Sequence, residues 1–344
     1  MKTILIHEHG GPEVLQISEI PTPEPGPGQV RVRMHASAIN HLDLWIRKGI
    51  PGHPSPLPMI LGSDGSGVVD KLGPGVTHFS PGDPVVISPG LSCGSCSACL
   101  SGKDHLCPDY GILGETCDGT YAQFSVVPAS NLIPKPDFMT HTDSASISLV
   151  FLTAWEMLVE RSGIQPGDCV LIHAAGSGIG IAAVQIACLY GATVIATAGS
   201  EPKLTKAREL GAVHTVNYST PDWVSKVREI TGRNGVDIVF EHVGASTWPG
   251  SMKILGRGGR VVTCGVTTGY AVNLDLRHLF FKNLSVLGST MGSKGSLLHI
   301  WKLIRQRKLH PVVDRVFPLS QAQEAHKHVS NRQQFGKVVL EMDL

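Results

Sequence analysis

The hydrophobic and polar positions divide the chain into two regions of different pattern. Up to about residue 150, short apolar runs such as QVRVRMHA and DPVVIS alternate with turns rich in glycine and proline, which is typical of an irregular β domain. From Gly167 onward, strand-like runs such as DCVLIHA and VDIVFEH are each followed by a helical segment. Because consecutive parallel strands need crossover connections, usually helices, this region predicts a doubly wound parallel sheet.

These patterns predict an α/β protein with two domains, which suits a length of 344 residues. We assign residues 1–150 and 292–344 to the β-rich domain, because the chain ends in a helix and the short β run GKVVLEM, and residues 151–291 to the doubly wound domain. Residues 169–200 carry no Asp, Glu, Lys or Arg. Their glycines and His173 nevertheless predict strand, turn and helix and not a membrane span.

The charge balance excludes several classes of partner. Lys and Arg number 29 and Asp and Glu number 28, so the chain has no net field with which to hold a polyanion. We therefore expect neither nucleic acid nor a membrane as partner; the small-molecule substrate that we also expect rests on the family resemblance described below. The N-terminal stretch MKTILIHEHG has only three consecutive apolar residues before a histidine, which does not predict a secretory signal. We expect a cytoplasmic protein.

Four of the eight cysteines lie within fifteen positions of each other, at the spacing C-x2-C-x2-C-x7-C. In a reducing compartment such a cluster favours metal ligation over disulfides. Four thiolates complete a tetrahedral shell around Zn²⁺ and leave no position for water or substrate. We therefore predict one structural Zn²⁺ in a lobe at about residues 90–110, bound by Cys93, Cys96, Cys99 and Cys107.

A glycine-rich turn, HAAGSGIG, follows the first strand of the second domain and opens a helix. A dinucleotide pyrophosphate needs backbone N–H groups at a helix N-terminus with no side chains in its way. We expect cofactor contacts at Gly176, Ser177, Gly178, Ile179 and Gly180.

The end of the second strand, VIATAGSEPK, bears on the choice of cofactor. An acid here would bind the ribose 2′-hydroxyl of NAD(H), but the position holds Ala198. Ser200 and Lys203 offer a hydroxyl and a cation for a 2′-phosphate. The sequence therefore favours NADP(H), while the neighbouring Glu201 keeps NAD(H) open.

The β-rich first domain, the four-cysteine lobe, the GSGIG turn and the C-terminal GKVVL together resemble the medium-chain dehydrogenase/reductase superfamily, in its zinc alcohol dehydrogenase and quinone oxidoreductase group. The resemblance covers essentially the whole chain. It implies a GroES-like catalytic domain, a Rossmann domain and an active site in the cleft between them. It also implies that the four-cysteine lobe is structural and that the protein is a homodimer.

The positions that bind the catalytic zinc of the related alcohol dehydrogenases hold other residues here. They match Asn40, Ser63 and a position near Leu149, none of which supplies a donor that Zn²⁺ prefers. Asp43 and Asp64 are the oxygen ligands that a rearranged metal site would use. Without a Lewis acid, reduction of an activated C=C bond or a quinone is favoured, because hydrogen-bond donors can hold the enolate or phenolate charge.

A narrower similarity links VDIVFEHVG and ILGSD to the enoyl-CoA carboxylase/reductases. It implies that Asn40, Glu115 and His242 surround the reacting carbon. Gly114 stands where those enzymes have a phenylalanine, which speaks against CO₂ fixation. Resemblance to the wider family implies further cofactor contacts at His41, Thr153, Tyr218, Gly265, Val266 and Arg332.

We therefore predict an NADPH-dependent reductase of an enoyl thioester, an enone or a quinone. Two alternatives stay open. A zinc-dependent alcohol dehydrogenase with atypical ligands would bind two zinc ions per chain, against one expected here. A non-catalytic NADPH-binding protein would bind the cofactor and reduce no acceptor.

Overall fold

The computed structural model describes residues 1–52 and 55–343. It divides the chain into two compact units. Unit 1 comprises Met1–Leu149, Ser293–Leu298 and His310–Leu344, and unit 2 comprises Val150–Gly292 and His299–Leu309.

The N-terminal part of unit 1 consists of short strands, as its alternating pattern predicts. In the run QVRVRMHA, Val30, Val32 and Met34 are buried, while the residues between them are more exposed. The strands are β1 Lys2–Ile6, β2 Gln16–Glu19, β3 Gln29–Ala38, β4 Met59–Ile60, β5 Asp64–Leu72, β6 Pro84–Ile87, β7 Gly90–Leu91, β8 Gly111–Ile112, β9 Phe124–Pro128 and β10 Leu132–Pro134, and the α-helices are α1 His41–Lys48, α2 Ser97–Leu100 and α3 His141–Ala145.

Unit 2 contains the alternation of strands and helices. Its sheet has the order β13-β12-β11-β14-β15-β16, with parallel neighbours throughout, and it matches the doubly wound order 3-2-1-4-5-6. The strands are β11 Cys169–Ile172, β12 Thr193–Ala198, β13 His214–Asn217, β14 Val236–Glu241, β15 Leu255–Thr263 and β16 Ser285–Gly288; the helices are α4 Ser148–Trp155, continued by a π-helix Glu156–Arg161, α5 Gly178–Leu189, α6 Glu201–Glu209, α7 Trp223–Thr231, α8 Trp248–Ile254 and α9 Leu276–Phe281.

The remaining elements are α10 Lys294–Arg305, β17 Val313–Pro318, α11 Ala322–Ser330 and β18 Lys337–Glu341. Strand β18 joins the large sheet of unit 1, whose order is β10-β6-β5-β3-β18-β17, with β9 also paired to β3. Antiparallel pairing sets Val339 opposite Ala38, so the start of β18 lies beside the end of β3. Short 3-10 turns lie at Pro12–Val14, Asp104–Leu106, Ala129–Asn131 and Leu319–Gln321.

The predicted α/β class, with a β-rich part and a doubly wound sheet, is confirmed. The charge-free stretch folds as β11, α5 and β12. In the part of the chain that the structure describes, no helix combines the length and the hydropathy needed to cross a membrane.

Candidate active site and cofactor site

The four clustered cysteines lie close together in unit 1, and all four Sγ atoms fall within 4.8 Å of one another. Sγ of Cys99 is 3.9 Å from that of Cys93 and 3.5 Å from that of Cys96. A tetrahedral zinc with bonds of about 2.3 Å sets its sulfurs about 3.8 Å apart. Backbone amides of Ser95 and Cys96 lower the pKa of the Cys93 thiol to about 6. These residues therefore fit a four-thiolate zinc.

A buried aspartate fixes this lobe to the start of α10. Asp104 lies between the third and fourth cysteines, and its Oδ1 accepts a hydrogen bond of 2.9 Å from the backbone N–H of Lys294. The Lys294 side chain donates to Oδ1 of Asn131 at 2.8 Å. The lobe therefore supports the first turn of this helix.

Asn40 lies between β3 and α1 and is only 5% exposed. Its Nδ2 donates to Oδ2 of Asp64 at 3.0 Å and to the carbonyl of Ala38 at 3.3 Å. Its Oδ1 accepts a hydrogen bond of 2.5 Å from Nζ of Lys337. Both ends of the Asn40 amide are thus engaged inside unit 1.

Lys337, the first residue of β18, is 4% exposed. Its Nζ lies 3.3 Å from Oδ2 of Asp64, whose Oδ1 accepts the backbone N–H of Leu149 at 2.9 Å. Burial lowers the pKa of Lys337, while Asp64 and Asp43 act in the opposite direction. Two of the positions matched to catalytic zinc ligands, Asn40 and Leu149, thus contact a lysine–aspartate pair. At the third, Oγ of Ser63 is buried and has no hydrogen-bond partner among the described residues.

Asp43 supports Asn40 from the other side. Its carboxylate accepts the backbone N–H of Asn40 at 2.7 Å, that of Gly62 at 3.2 Å and the hydroxyl of Tyr121 at 3.1 Å. Burial raises the pKa of Asp43 to about 6, although these hydrogen bonds oppose the shift. Asn40 and Asp43 also form the capping box of α1, so the same contacts start the helix.

A directed chain of hydrogen bonds ends at Asp43. Arg47 has only donors, so its Nη1 donates to Nδ1 of His326 at 3.1 Å. The Nε2–H of His326 then donates to the Tyr121 oxygen at 3.2 Å, and the Tyr121 hydroxyl donates to Asp43. Burial lowers the pKa of His326 to about 3, which keeps the ring neutral as this chain requires. Arg47, Tyr121 and His326 are each at most 1% exposed.

Glu115 is half-buried in the turn after β8, where its backbone N–H donates to the carbonyl of Ile112 at 3.0 Å. The residue before it, Gly114, has φ +77°, and a Cβ there would lie 2.7 Å from backbone atoms of Gly62. A phenylalanine therefore does not fit at position 114, and the role of Glu115 stays a prediction.

The glycine-rich turn of unit 2 links β11 to α5. Ser177 caps the helix, and its Oγ accepts the backbone N–H of Gly180 at 3.0 Å. A Cβ on Gly180 would lie 2.5 Å from the carbonyl oxygen of Ala174, so the turn after β11 and the helix approach each other as closely as glycine permits. The N-terminus of α5, with Gly176, Gly178 and Ile179, has the composition and geometry that bind a pyrophosphate.

His242 follows β14, beside a buried glutamate that holds the next turn. Glu241 accepts the backbone N–H groups of Val243 at 2.7 Å and Gly244 at 3.1 Å. Nε2 of His242 donates to the carbonyl of His173 at 2.8 Å, and burial lowers the pKa of His242. The ring is therefore neutral, and Nδ1 is the atom that accepts a hydrogen bond or a proton.

Residues at the carboxyl ends of β12 and β13 meet around Gly199. A Cβ on Gly199 would lie 3.2 Å from Oγ of Ser219 and 3.6 Å from the ring of Tyr218. Ser200 is the N-cap of α6 and makes no side-chain cap hydrogen bond, and Lys203 lies in the first turn of that helix. Ser219 is a further candidate, and its only signal in the sequence is its place directly after Tyr218, near the carboxyl end of a strand.

The other predicted cofactor contacts fall in both units. Thr153 is buried in unit 2, and its hydroxyl lies 3.9 Å from the sulfur of Met291. Gly265 and Val266 follow β15, next to Thr267, whose Oγ1 donates to the His242 carbonyl at 3.2 Å. His41 begins α1 with its ring 5.6 Å from that of Trp45, and Arg332 follows α11 in a left-handed conformation, φ 55°. Their roles stay predictions.

Two family models match the chain: the alcohol dehydrogenase GroES-like domain at residues 26–137 and zinc-binding dehydrogenase at residues 178–306. A 2-haloacrylate reductase of Burkholderia sp is 35% identical over 98% of this chain and 97% of that protein. The crotonyl-CoA reductase of Streptomyces collinus is 32% identical over 94% of this chain and 80% of that protein. A crystal structure of an NAD-dependent alcohol dehydrogenase is 53% identical, with a TM-score of 0.96 over 99% of this chain and 100% of that one.

The chain belongs to the medium-chain dehydrogenase/reductase superfamily. The predicted resemblance is confirmed, and this member of the superfamily is an oxidoreductase acting on a small molecule. Members bind NAD(P) and often zinc, which agrees with the turn of unit 2 and the cysteine lobe.

In this superfamily member, sequence reasoning missed the groups that complete the Asn40 cluster, namely Lys337, Tyr121, His326 and Arg47. One signal for Lys337 was available. It opens the otherwise apolar run KVVL at the end of the chain, and a lysine in a strand with buried neighbours needs a buried partner. The partners of Tyr121 and His326 lie 78 and 279 residues away along the chain, so no local pattern predicts them.

Proposed function

We propose that this protein is an NADPH-dependent reductase that reduces the activated C=C bond of an enoyl thioester or enone, or a quinone. The observation that carries the proposal is the ammonium of Lys337, hydrogen-bonded to Asn40 and close to Asp64. It contacts Asn40, one of the three positions matched to the catalytic zinc ligands of the relatives. A fixed cation there disfavours a second one, and Asn, Ser and Leu offer Zn²⁺ no preferred donor.

Reduction of a conjugated C=C bond needs no metal ion at such a site. When bound, NADPH supplies the hydride. Negative charge then develops on the carbonyl or quinone oxygen, where preorganised hydrogen-bond donors stabilise it. We propose that the Nδ2 group of Asn40 is such a donor. The proton for the α-carbon comes from solvent or through Nδ1 of His242 or the carboxyl group of Glu115.

The names of the relatives support an activated C=C bond as the acceptor. Haloacrylate and crotonyl-CoA both carry a C=C bond conjugated to a carboxyl group or a thioester, and proteins named for reducing them align with nearly the whole of this chain. The preference for NADPH is supported by the hydroxyls of Ser200, Tyr218 and Ser219 near Gly199, together with Lys203. We further propose one structural zinc in the four-cysteine lobe.

A homodimer is the assembly that we propose. Strand β16 is the edge of the unit 2 sheet, and an edge strand offers unpaired backbone groups to another chain. Val286 on this strand is 40% exposed, and Phe280 and Phe281 just before it are 60% and 66% exposed. In light scattering, Val286→Lys should shift the protein toward monomer, whereas an unchanged mass would argue against this edge.

A second candidate is an NAD-dependent alcohol dehydrogenase. The 53% identical structure of that description favours it. It requires a metal site built from the remaining oxygen donors, Asp43 and Asp64, whose carboxylates are hydrogen-bonded to backbone and side-chain groups of unit 1.

The deciding experiment measures NADPH and NADH oxidation with crotonyl-CoA, a simple enone, a quinone and an aldehyde, together with the zinc content of the pure protein. We expect NADPH-dependent reduction of the C=C acceptors or the quinone, no aldehyde reduction, and one zinc per chain. NADH-dependent aldehyde reduction that a chelator abolishes, with two zincs per chain, would establish the alcohol dehydrogenase. Cofactor binding without turnover of any acceptor would indicate a non-catalytic protein.

A further inference from the structure

The lysine–asparagine–aspartate contact fixes the orientation of one side chain. An ammonium has only donors, and a carboxylate has only acceptors. Lys337 therefore requires the oxygen of the Asn40 amide on its side, and Asp64 requires the nitrogen. A flipped amide would set N–H against the ammonium and C=O against the carboxylate, so the amide has one favourable orientation.

The same contacts polarise the amide. A carbonyl oxygen that accepts a hydrogen bond from a cation draws electron density from its nitrogen, and hydrogen bonds in series strengthen one another in a low-dielectric interior. The pair is buried, with side chains 4% and 0% exposed, so solvent screens this effect weakly. The Nδ2–H groups of Asn40 are consequently better donors than those of an exposed asparagine.

One of these donors is weakly held. The Nδ2 contact to Asp64 is 3.0 Å, whereas the contact to the carbonyl of Ala38 is 3.3 Å, near the long limit for an N–H···O bond. An oxygen that gains negative charge during reduction competes well for that N–H.

We propose that Lys337 is the positioning residue of the reductase site, orienting and polarising the Asn40 amide so that it donates a hydrogen bond to the substrate's carbonyl or quinone oxygen. This inference rests on the proposed function for its catalytic consequence. Lys337 acts through Asn40, and Asp64 holds both of them.

The kinetic test compares Lys337→Met, Lys337→Arg and the wild type on whichever acceptor the wild type reduces. Loss of the polarising charge should lower kcat by about tenfold to a hundredfold, with the Kd for NADPH unchanged within twofold. Arginine keeps the charge and should restore part of kcat. The matched control is Lys294→Met, which removes another partly buried lysine of unit 1 bonded to an asparagine, and it should keep wild-type kinetics.

A second readout does not depend on turnover. The side-chain amide protons of Asn40, assigned by their loss in Asn40→Ala, should resonate upfield in Lys337→Met relative to the wild type and close to the wild type in Lys337→Arg. If Lys337→Met does not fold, the double variant Asp64→Asn/Lys337→Met removes both buried charges and serves for the same two measurements.

The outcomes separate the two proposals. A wild type that reduces none of the acceptors refutes the proposed function, and the resonances still decide whether Lys337 polarises Asn40. An active wild type, combined with a charge-free variant whose kcat is within twofold or whose Asn40 resonances do not move, overturns the role of Lys337.

Discussion

In unit 2, the residues expected to hold the cofactor come from short stretches at the carboxyl ends of neighbouring strands, as in the turn from His173 to Gly180. In unit 1, the Asn40 cluster draws on β3, α1, β5 and β18, with Tyr121 and His326 behind it. Around Gly199 this kind of site rests on local contacts, whereas His173 is bonded to Thr197 and Ser251 in a buried network of its own. The second is one buried network, in which each polar group is a hydrogen-bond or ion-pair partner of another. We therefore expect substitutions in the Asn40 cluster of unit 1 to be costly and non-additive, and those around Gly199 in unit 2 to be modest and additive.

The largest effect should follow from breaking the buried ion pair. Asp64→Asn leaves the Lys337 ammonium without its carboxylate, which typically costs about 3–5 kcal/mol. Urea unfolding should show this loss, and the double variant with Lys337→Met should recover most of it. As a control, Lys226→Met in unit 2 removes a solvent-exposed pair with Asp222 and should leave stability unchanged. Equal losses in the single and double variants would contradict a coupled pair.

Acid should weaken both units through buried neutral histidines. Burial lowers the pKa of His326 to about 3 and that of His173 to about 4, whereas an unfolded histidine titrates near about 6.5. Below about pH 6.5 these two histidines thus bind more protons in the unfolded chain than in the folded chain. This stability is complete above about pH 6.5 and declines as the pH falls toward 4, by about 2 kcal/mol per histidine near pH 5.

His326→Gln should therefore flatten the dependence of the unfolding free energy on pH between 7 and 4.5. The matched control is His78→Gln, since His78 is an exposed histidine of the same unit. An unchanged slope in the first variant would show that His326 takes up its proton equally in the folded and the unfolded chain.

Cofactor choice should respond to a single position in unit 2. Ala198→Asp places a carboxylate at the end of β12, where it can accept from a ribose 2′-hydroxyl and repels a 2′-phosphate. We expect the Kd for NADPH to rise at least about tenfold, or 1.4 kcal/mol, and the Kd for NADH to fall. Fluorescence titration measures both dissociation constants. An unchanged ratio of the Kd for NADPH to the Kd for NADH would contradict a 2′-phosphate site at the end of β12.

The smallest effect is expected for Ser219→Ala. Losing one exposed hydroxyl near Gly199 should weaken NADPH binding by about twofold to fivefold and leave NADH unaffected. Combined with Lys203→Ala, the two free-energy changes should add within about 0.5 kcal/mol. Strong non-additivity would mean that unit 2, like unit 1, holds its ligand through a coupled network.

The features that the sequence predicts are mostly those built from residues close together in the chain, as in unit 2. The four-cysteine spacing, the HAAGSGIG turn and the end of β12 are local signals, because the residues that act together are close in the chain. Asn40 was identified through resemblance, but its partner Lys337 lies 297 residues away. The exclusion of a side chain at Gly114 depends on the backbone of Gly62, which no pattern around residue 114 reveals.

His326 and Lys337 come 279 and 297 residues after their partners Arg47 and Asn40, and this has a consequence for synthesis. Until those residues have left the ribosome, Asp64 lacks the ammonium that lies beside it, and Tyr121 lacks the imidazole that donates to its oxygen. Contacts of such long sequence separation form late, because the loop they close is costly in entropy. A chain truncated before α11 would keep its cysteine lobe, and still leave Asp64 without the ammonium of Lys337 and Tyr121 without the imidazole of His326.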